Sequence, residues 1–216
     1  VVGGGPAGMA AAYFLARGGV KTTLFEKEEK LGGVVRNVIP GFRISDEAID
    51  NDAKLIEAMG VEIVTGREIG SVDEVKKDYD YVVLALGAST PGVLRLEKGQ
   101  AMNALEFLAQ FKATDGNLDL GENVVVIGGG NTAMDTARAA KRNKGVKKVS
   151  LVYRRTKRYM PADAEELEMA IEDGVEFAEL LSPVKLENGV LYCKKMVLGD
   201  YDASGRRGVV ETCLLY

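Results

Sequence analysis

The chain of 216 residues contains no histidine and only two cysteines. Without histidine, it has no histidine-based acid–base catalysis, no Ser/His/Asp triad and no histidine-ligated metal site. The two cysteines, Cys193 and Cys213, cannot supply the four thiolates of an iron–sulfur cluster or form a CxxC redox pair. We expect both thiols to be structural or incidental, which disfavours a disulfide reductase of the glutathione or thioredoxin type.

Long apolar runs are also missing. No stretch of the sequence approaches the roughly 20 apolar residues of a membrane span, and no basic-then-apolar leader is present. The net charge of −4 argues against a nucleic-acid binder that depends on phosphate neutralisation. We therefore expect a cytoplasmic protein that binds neither a membrane nor a nucleic acid.

Strand-like apolar runs alternate with helical patterns, which favours parallel βαβ units and an α/β fold. The patterns predict helices over residues 6–17, 45–59, 101–111, 132–142 and 161–173, and strands over residues 21–25, 61–64, 81–86, 123–127 and 149–153. The strand at 81–86 is apolar enough to be buried on both faces. A strand-rich and turn-rich region follows, from residue 175 to residue 210.

The first of two glycine motifs has the pattern G-x-G-x-x-G and lies between a strand and a helix; it comprises Gly3, Gly4, Gly5, Pro6, Ala7 and Gly8. Glycine lets the backbone approach a dinucleotide pyrophosphate, and the helix N-terminus supplies free N–H groups. Glu26 ends the next strand, close to the roughly 20-residue offset expected of an acid that accepts ribose hydroxyls. The alternative is an ordinary glycine-rich turn followed by a solvated acidic run.

The second motif repeats the opening pattern as G-x-G-x-x-A after the strand at 123–127; it comprises Gly128, Gly129, Gly130, Asn131, Thr132 and Ala133. Here Arg154 and Arg155 follow the next strand, where the first motif has Glu26. A guanidinium group suits the 2′-phosphate of NADP, which an acid would repel. The two sites are therefore predicted to prefer different dinucleotides.

The arginines belong to a basic run, residues 141–158, with nine basic residues and no acidic one. Such a run is also compatible with a solvated face or a nucleic-acid patch. Tyr153 is its only aromatic residue, and the overall charge is negative. Recognition of a nucleotide phosphate explains the same residues more economically.

Two Rossmann motifs in one chain are far more specific than one. The acid-paired motif suits the adenosine end of FAD, and the arginine-paired motif suits NADPH. Together they predict a flavin reductase with two Rossmann-like domains of the three-layer α/β type. The expected domains are an FAD-binding domain at residues 1–115 and an NAD(P)H-binding domain at residues 116–216.

These features resemble the two-dinucleotide-binding flavoproteins typified by the small chain of glutamate synthase, with the electron-input part of dihydropyrimidine dehydrogenase and a selenate reductase subunit as near relatives. The similarity covers nearly the whole chain. Besides the glycine motifs, it depends on Phe25-Glu26-Lys27, Leu31-Gly32-Gly33, Leu84-Ala85-Leu86-Gly87-Ala88, Ile39-Pro40-Gly41-Phe42-Arg43 and Tyr153-Arg154-Arg155 with Met160-Pro161. The last two stretches are the specific ones.

The resemblance implies contacts with FAD from Gly3, Gly4, Gly5, Pro6, Ala7, Gly8, Glu26, Lys27, Gly32, Gly33, Val34, Arg43, Ile69, Gly87, Ala88 and Ser89. It implies contacts with NADPH from Gly128, Gly130, Asn131, Thr132, Ala133, Arg154 and Arg155. It also implies hydride transfer from the nicotinamide to the flavin, and then electron transfer to iron–sulfur clusters of a domain or subunit outside this chain. No catalytic side chain and no metal ligand is expected, because the cofactors carry the chemistry.

The ends of the chain suggest a fragment that lacks both ends of the FAD-binding domain. It opens on Val1-Val2 without a methionine, and its last residues, 213–216, do not match what the resemblance implies there. The terminal electron acceptor is then set by absent domains. A non-catalytic subunit that uses bound dinucleotide as part of its structure is the alternative.

Overall fold

The computed structural model describes residues 1–88, 92–203 and 205–215, and for residues 213–215 only the backbone. It divides into two compact units, Val1–Pro91 and Gly92–Tyr216. Each unit contains one of the glycine motifs.

The first unit is built on a short parallel sheet. Strands β1 (Thr23–Phe25) and β2 (Glu62–Val64) pair in parallel, and helices α1 (Pro6–Arg17), α2 (Gly33–Asn37) and α3 (Asp46–Ala58) belong to the same unit. The bounds of α1 are those predicted from the sequence, because Pro6 occupies the first turn and Gly18 ends the helix. The core comprises Met9, Ala12, Leu24, Leu31, Ile56 and Val61.

Helix α2 lies between the predicted strand at 21–25 and the predicted helix at 45–59, where the sequence predicts no helix. The buried side chain of Arg36 stabilises it: Nη2 donates to Asp50 Oδ1 of α3 at 2.5 Å, Nε donates to the carbonyl of Leu31, and Nη1 lies 3.6 Å from Asp46 Oδ2. Five residues are too few for a helix that is stable by itself. The tertiary contacts of one side chain therefore maintain this turn of helix.

The predicted buried strand at 81–86 is wrong. In the described residues this segment makes a single bridge, from Leu84 to Val2. Tyr81 is 88% exposed and Leu86 66% exposed. An apolar strand is buried on both faces only where other elements cover both faces. The described part of the unit covers neither Tyr81 nor Leu86.

The second unit contains a three-stranded parallel sheet in the order β3–β4–β5. Its elements are α4 (Ala104–Ala113), β3 (Asn123–Ile127), α5 (Asn131–Arg142), β4 (Lys148–Tyr153), α6 (Ala164–Glu172) and β5 (Glu176–Glu179). Because α4 packs against α5, residues 92–115 belong to this compact unit, whereas the sequence places them in the first domain. The difference arises because the packing partner of a linker helix is not encoded in its own pattern.

An antiparallel sheet completes the second unit, formed by β6 (Leu181–Glu187), β7 (Val190–Tyr201) and β8 (Arg207–Leu215). Asn188 and Gly189, both at positive φ, form the β6–β7 turn. Cys193 on β7 is buried, and burial raises the pKa of its thiol. This environment disfavours the reactive thiolate. The side chain of Cys213 lies outside the described residues.

Helices in the described part of the chain are all too short or too polar to cross a membrane.

An acidic residue joins the ends of two helices in the second unit. Asp173, directly after α6, accepts hydrogen bonds from Arg138 Nε at 2.7 Å and from Arg142 Nη1 at 2.6 Å, both on α5. Burial alone would raise the pKa of Asp173, but hydrogen bonds from Arg142 and Arg138, and their charges, lower it below the usual value. Asp173 therefore stabilises the folded chain only while it is ionised.

We expect Asp173→Asn to lower the free energy of unfolding near neutral pH by about 1–2 kcal/mol, because it weakens three hydrogen bonds from the charged side chains of Arg138 and Arg142. The pKa of Asp173 is lowered by folding, so its contribution is present above the unfolded-state pKa and is lost as the pH falls through the folded-state pKa. Urea unfolding between pH 7 and pH 2.5 should show the difference from wild type shrinking below about pH 4. Glu172→Gln, at an exposed neighbour, is the matched control and should show no such trend.

Candidate functional site

Two glycines of the first motif are required by the packing of the protein itself. A Cβ on Gly3, whose φ is 105°, would lie 2.3 Å from the carbonyl oxygen of Ala85. A Cβ on Gly8 would lie 1.8 Å from the carbonyl oxygen of Gly3. These glycines allow the strand, the turn and α1 to approach one another closely.

Gly5 is different, because the protein has room for a side chain there. A Cβ at this position would be 3.9 Å from its nearest neighbour, the Cα of Gly33, and φ is −74°. Gly5 precedes α1, whose first N–H groups have no partner within the helix. The space and the donors fit a dinucleotide pyrophosphate, which needs backbone approach at this position.

A second glycine pair lies against the first turn. The N–H of Gly32 donates to the carbonyl of Gly4 at 2.8 Å, and Gly32 and Gly33 have φ values of 123° and 52°. Val34, in the first turn of α2, is exposed. The fold thus brings Gly32, Gly33 and Val34 to the side of the motif at Gly4 and Gly5, as the sequence analysis expects of residues that share one ligand.

The carboxylate of Glu26 faces the first glycine turn. Glu26 is only 6% exposed; Oε2 accepts from the N–H of Gly4 at 2.6 Å and Oε1 from the N–H of Glu28 at 3.0 Å. Each carboxylate oxygen retains further acceptor capacity. This arrangement fits the two hydroxyls of an unmodified adenosine ribose.

Apart from Pro6 and Ala7 in the first turn of α1, the other residues predicted to contact FAD lie on loops of the first unit. Lys27 is exposed, with Nζ 3.9 Å from Glu28 Oε1. Arg43 and Ala88 are exposed and Ile69 is half-buried, while Gly87 has a φ of 74°. Ser89 lies outside the described residues. The sequence assigns these residues to the site, and their contacts with a cofactor stay predictions.

The second motif divides its glycines in the same way as the first. A Cβ on Gly128, whose φ is 152°, would lie 2.9 Å from the Cβ of Ala133, and one on Gly129 would lie 2.3 Å from the ring of Tyr153. Gly130 precedes α5 with a φ of −100°, and a Cβ there would have no atom within 4 Å. As at Gly5, the packing of the protein does not require a glycine at this position, whereas the close approach of a pyrophosphate does.

The backbone register corrects the alignment of the two motifs. The N–H of Gly3 donates to the carbonyl of Phe25, and the N–H of Gly128 donates to the carbonyl of Val152. Tyr153, and not an arginine, therefore occupies the position of Glu26. Its ring packs on Gly129 and its hydroxyl donates to the carbonyl of Tyr159 at 2.9 Å. Sequence spacing alone did not reveal this, because the offset between motif and strand end is variable.

The two predicted arginines follow Tyr153 and have different surroundings. Arg154 is exposed and makes no hydrogen bond or ion pair with the part of the chain that the structure describes. Arg155 is half-buried, and its Nε donates to the carbonyl of Arg207 on β8 at 3.0 Å. Arg154 is therefore the guanidinium available to a ligand, whereas Arg155 also fixes the loop to the antiparallel sheet.

The basic run of residues 141–158 separates into two groups. At the N-terminal edge of the parallel sheet, Lys147 pairs with Glu122 at 2.5 Å and Lys148 with Glu176 at 2.8 Å. Arg142 pairs with Asp173, as described above.

After β4, the side chains of Arg154, Lys157 and Arg158 form no ion pair with any described residue. Unneutralised positive charge is thus concentrated beside the second glycine turn, at the C-terminal edge of the sheet where ligands bind in open α/β folds.

A loop before α6 covers part of the second turn. The N–H of Ala162 donates to the carbonyl of Gly129, and Asn131 Nδ2 donates to Asp163 Oδ2, both at 3.0 Å. In return, the N–H of Asp163 donates to Asn131 Oδ1 at 3.0 Å. Sequence analysis missed Asp163, because its pairing with the predicted Asn131 depends on the loop fold. Thr132 lies in the same first turn of α5, and the carbonyl of Thr132 accepts from the hydroxyl of Thr136.

Two glycine turns of this geometry, each at the end of a strand and the start of a helix, are characteristic of proteins that bind two dinucleotides. A family model described as pyridine nucleotide-disulphide oxidoreductase matches residues 1–199. The chain belongs to this family. FAD and NADPH are the cofactors of the family, so the cofactor prediction from the sequence is confirmed.

Relatives include YgfK of Escherichia coli O157:H7, which is 45% identical over 98% of this chain and 21% of its own length. The NADPH-Fe(3+) oxidoreductase subunit beta of Geobacter sulfurreducens (strain DL-1 / KN400) is 38% identical over 96% of this chain and 33% of its own length. The glutamate synthase [NADPH] small chain of Escherichia coli (strain K12) is 36% identical over 96% and 48%. The predicted resemblance is confirmed. The chain spans less than half the length of each of these relatives.

Solved structures show the same fold. FprA from Mycobacterium tuberculosis, in its His57Gln form, superimposes with a TM-score of 0.76 at 19% identity, covering 100% of this chain and 67% of the FprA chain. Thioredoxin reductase of T. acidophilum gives a TM-score of 0.62 at 19% identity, covering 97% and 72%. The predicted α/β class with Rossmann-like folds is confirmed.

The open glycines make a reciprocal test possible. The fold leaves room for a Cβ at Gly5 and at Gly130. The free energy of unfolding of each alanine variant should therefore lie within about 1 kcal/mol of the wild-type value, which is the usual cost of alanine at a helix N-cap. Gly5→Ala should weaken FAD binding and Gly130→Ala should weaken NADPH binding, each by about tenfold or more, because the methyl group occupies the pyrophosphate approach. Calorimetric titration with each dinucleotide measures both affinities. Each variant is the control for the other, and equal losses of both ligands would contradict the assignment.

Proposed function

We propose that this chain is the NADPH- and FAD-binding part of an oxidoreductase that passes electrons from NADPH through FAD to iron–sulfur clusters of a partner domain or subunit. One observation carries the proposal: the two open glycine turns lie beside groups of opposite charge. The acidic side chain of Glu26 accepts a hydrogen bond from the N–H of Gly4 in the first turn, whereas the unneutralised Arg154 lies beside the second turn. Opposite charge at the two turns favours one unphosphorylated and one 2′-phosphorylated dinucleotide.

In the first unit, the chain's role is to bind and orient FAD. Glu26 would accept the ribose hydroxyls, and the N–H groups at the start of α1 would bind the pyrophosphate beside Gly5 and Gly33. Gly4 donates to Glu26 and keeps its carboxylate in place.

In the second unit, the chain selects NADPH. Arg154 would donate paired hydrogen bonds to the 2′-phosphate, and Lys157 and Arg158 on the same loop would add positive charge. Tyr153 supplies no carboxylate where Glu26 lies in the first unit, so the residue at this position does not repel the phosphate. Arg155 contributes by holding the loop to β8.

The bound cofactors supply the redox chemistry, namely hydride transfer from nicotinamide to flavin and then release of single electrons. The resemblance to glutamate synthase small chains supports iron–sulfur clusters as acceptors, and the name of the Geobacter sulfurreducens relative supports NADPH as the donor. The terminal acceptor depends on parts of the protein outside this chain. A cytoplasmic location stays a prediction.

The test is reduction of the bound flavin. The purified protein that contains this chain, loaded with FAD, should lose its flavin absorbance band when NADPH is added without oxygen. It should also reduce an artificial electron acceptor in the steady state. A protein that binds FAD and NADPH but shows neither reaction is a scaffold, and this outcome would contradict the proposal.

Coenzyme choice gives a residue-level test. Arg154→Ala should raise the KM for NADPH about tenfold or more and change the KM for NADH by less than about twofold, because only NADPH carries the 2′-phosphate. Lys144→Ala is the matched control, since Lys144 belongs to the same basic run but lies after α5, at the other edge of the sheet. Equal effects of Arg154→Ala on both coenzymes would mean that Arg154 does not bind the 2′-phosphate.

A further inference from the structure

One cation of the first unit has no role in the fold or in the site as described so far. Arg67 follows β2 and is exposed. Its Cζ lies 4.7 Å from the ring centroid of Phe25, which is buried directly before Glu26. The family resemblance implies a contact with FAD from Ile69, two residues further along the chain, but none from Arg67.

The backbone brings Arg67 to the ribose-binding acid. The N–H of Arg67 donates to the carbonyl of Glu26 at 2.9 Å, and the N–H of Gly66 donates to the carbonyl of Glu28 at 2.9 Å. The loops after β1 and β2 are therefore joined at the C-terminal edge of the sheet. A ligand whose ribose binds Glu26 would extend its base along these joined loops.

The guanidinium group is also held in place without being neutralised. Phe25 packs edge-on against Tyr79, with ring centroids 6.0 Å apart and an interplanar angle of 87°, so the surface under the guanidinium is fixed. Glu29 lies near Gly66, but neither it nor any other described acid forms an ion pair with Arg67. The guanidinium group therefore lies over Phe25 and belongs to an exposed side chain that a ligand can reach.

We propose that Arg67 is an adenine-binding residue of the FAD site, with the adenine ring stacked on the face of its guanidinium group away from Phe25. Guanidinium planes stack well on aromatic bases, because the cation is delocalised and weakly hydrated. The resulting order is Phe25, guanidinium and adenine, next to the ribose acid Glu26. This inference rests on the proposed FAD site of the first unit and adds a residue to it.

The experiment compares two variants in the purified protein that contains this chain, after its flavin has been removed. Arg67→Ala should weaken the binding of both FAD and ADP about 5- to 10-fold, because both carry the adenine that loses its stacking partner. Arg67→Tyr should stay within about twofold of wild type for both ligands, because a phenol ring restores a planar stacking surface without the charge. Arg17→Ala, at an exposed arginine at the end of α1, should change neither affinity.

Other outcomes overturn the proposal in different ways. If Arg67→Ala binds FAD and ADP as wild type does, Arg67 does not contact the ligand. If Arg67→Tyr loses as much affinity as Arg67→Ala, the residue acts through its charge or by covering Phe25, and stacking is wrong. If the wild-type protein binds neither FAD nor ADP, the FAD site itself fails, which is distinguishable from a failure of Arg67 alone. Thermal unfolding of the ligand-free variants shows whether covering Phe25 is a structural role.

Discussion

At each glycine turn, the end of a strand and the start of a helix lie in very close contact, and the rest of the site depends on this constraint. In the first unit, α1 passes so near the end of the strand that no side chain fits at Gly8, where a Cβ would meet the carbonyl oxygen of Gly3 at 1.8 Å. In the second unit, Ala133 fills the same position, and Gly128 accommodates its methyl group. The close approach directs the N–H groups of α1 and α5 at the strand ends. Glu26 and Arg154 can contribute to ligand binding only because this arrangement places them beside the start of a helix.

The two turns show how one backbone design serves two ligands. In each motif, the protein leaves no room for a Cβ at the first two glycines and leaves room at the third, Gly5 or Gly130. What distinguishes the turns is the residue that packs against the second glycine, Glu26 in one case and Tyr153 in the other. A carboxylate at this place bonds to the turn itself, whereas the tyrosine bonds to its own loop through the carbonyl of Tyr159. The positive charge of the second site therefore comes from the residues that follow Tyr153, beginning with Arg154.

Local chemistry made much of the fold predictable. The ends of α1 could be read from Pro6 and Gly18, and those of α3 from Ser45, whose hydroxyl caps the helix by accepting from the N–H of Ala48. Features that depend on distant partners could not be read. Helix α2 depends on the contacts of Arg36 with α3, and the exposure of residues 81–86 depends on what covers them. The pairing of Asn131 with Asp163 required the loop fold, and the position of Tyr153 required the hydrogen-bond register between β3 and β4.

The loop that carries Arg154, Lys157 and Arg158 is anchored at several points: by β4 at its start, by the Tyr153 hydroxyl in its middle, and by Ala162 and Asp163 on the second turn. An unanchored loop loses conformational entropy when it closes on a ligand, roughly 1–2 kcal/mol for each residue that becomes fixed. Here that loss has occurred during folding. The affinity of the loop for a phosphate is accordingly governed by the strength of the contacts themselves, and binding needs no disorder-to-order transition of this segment.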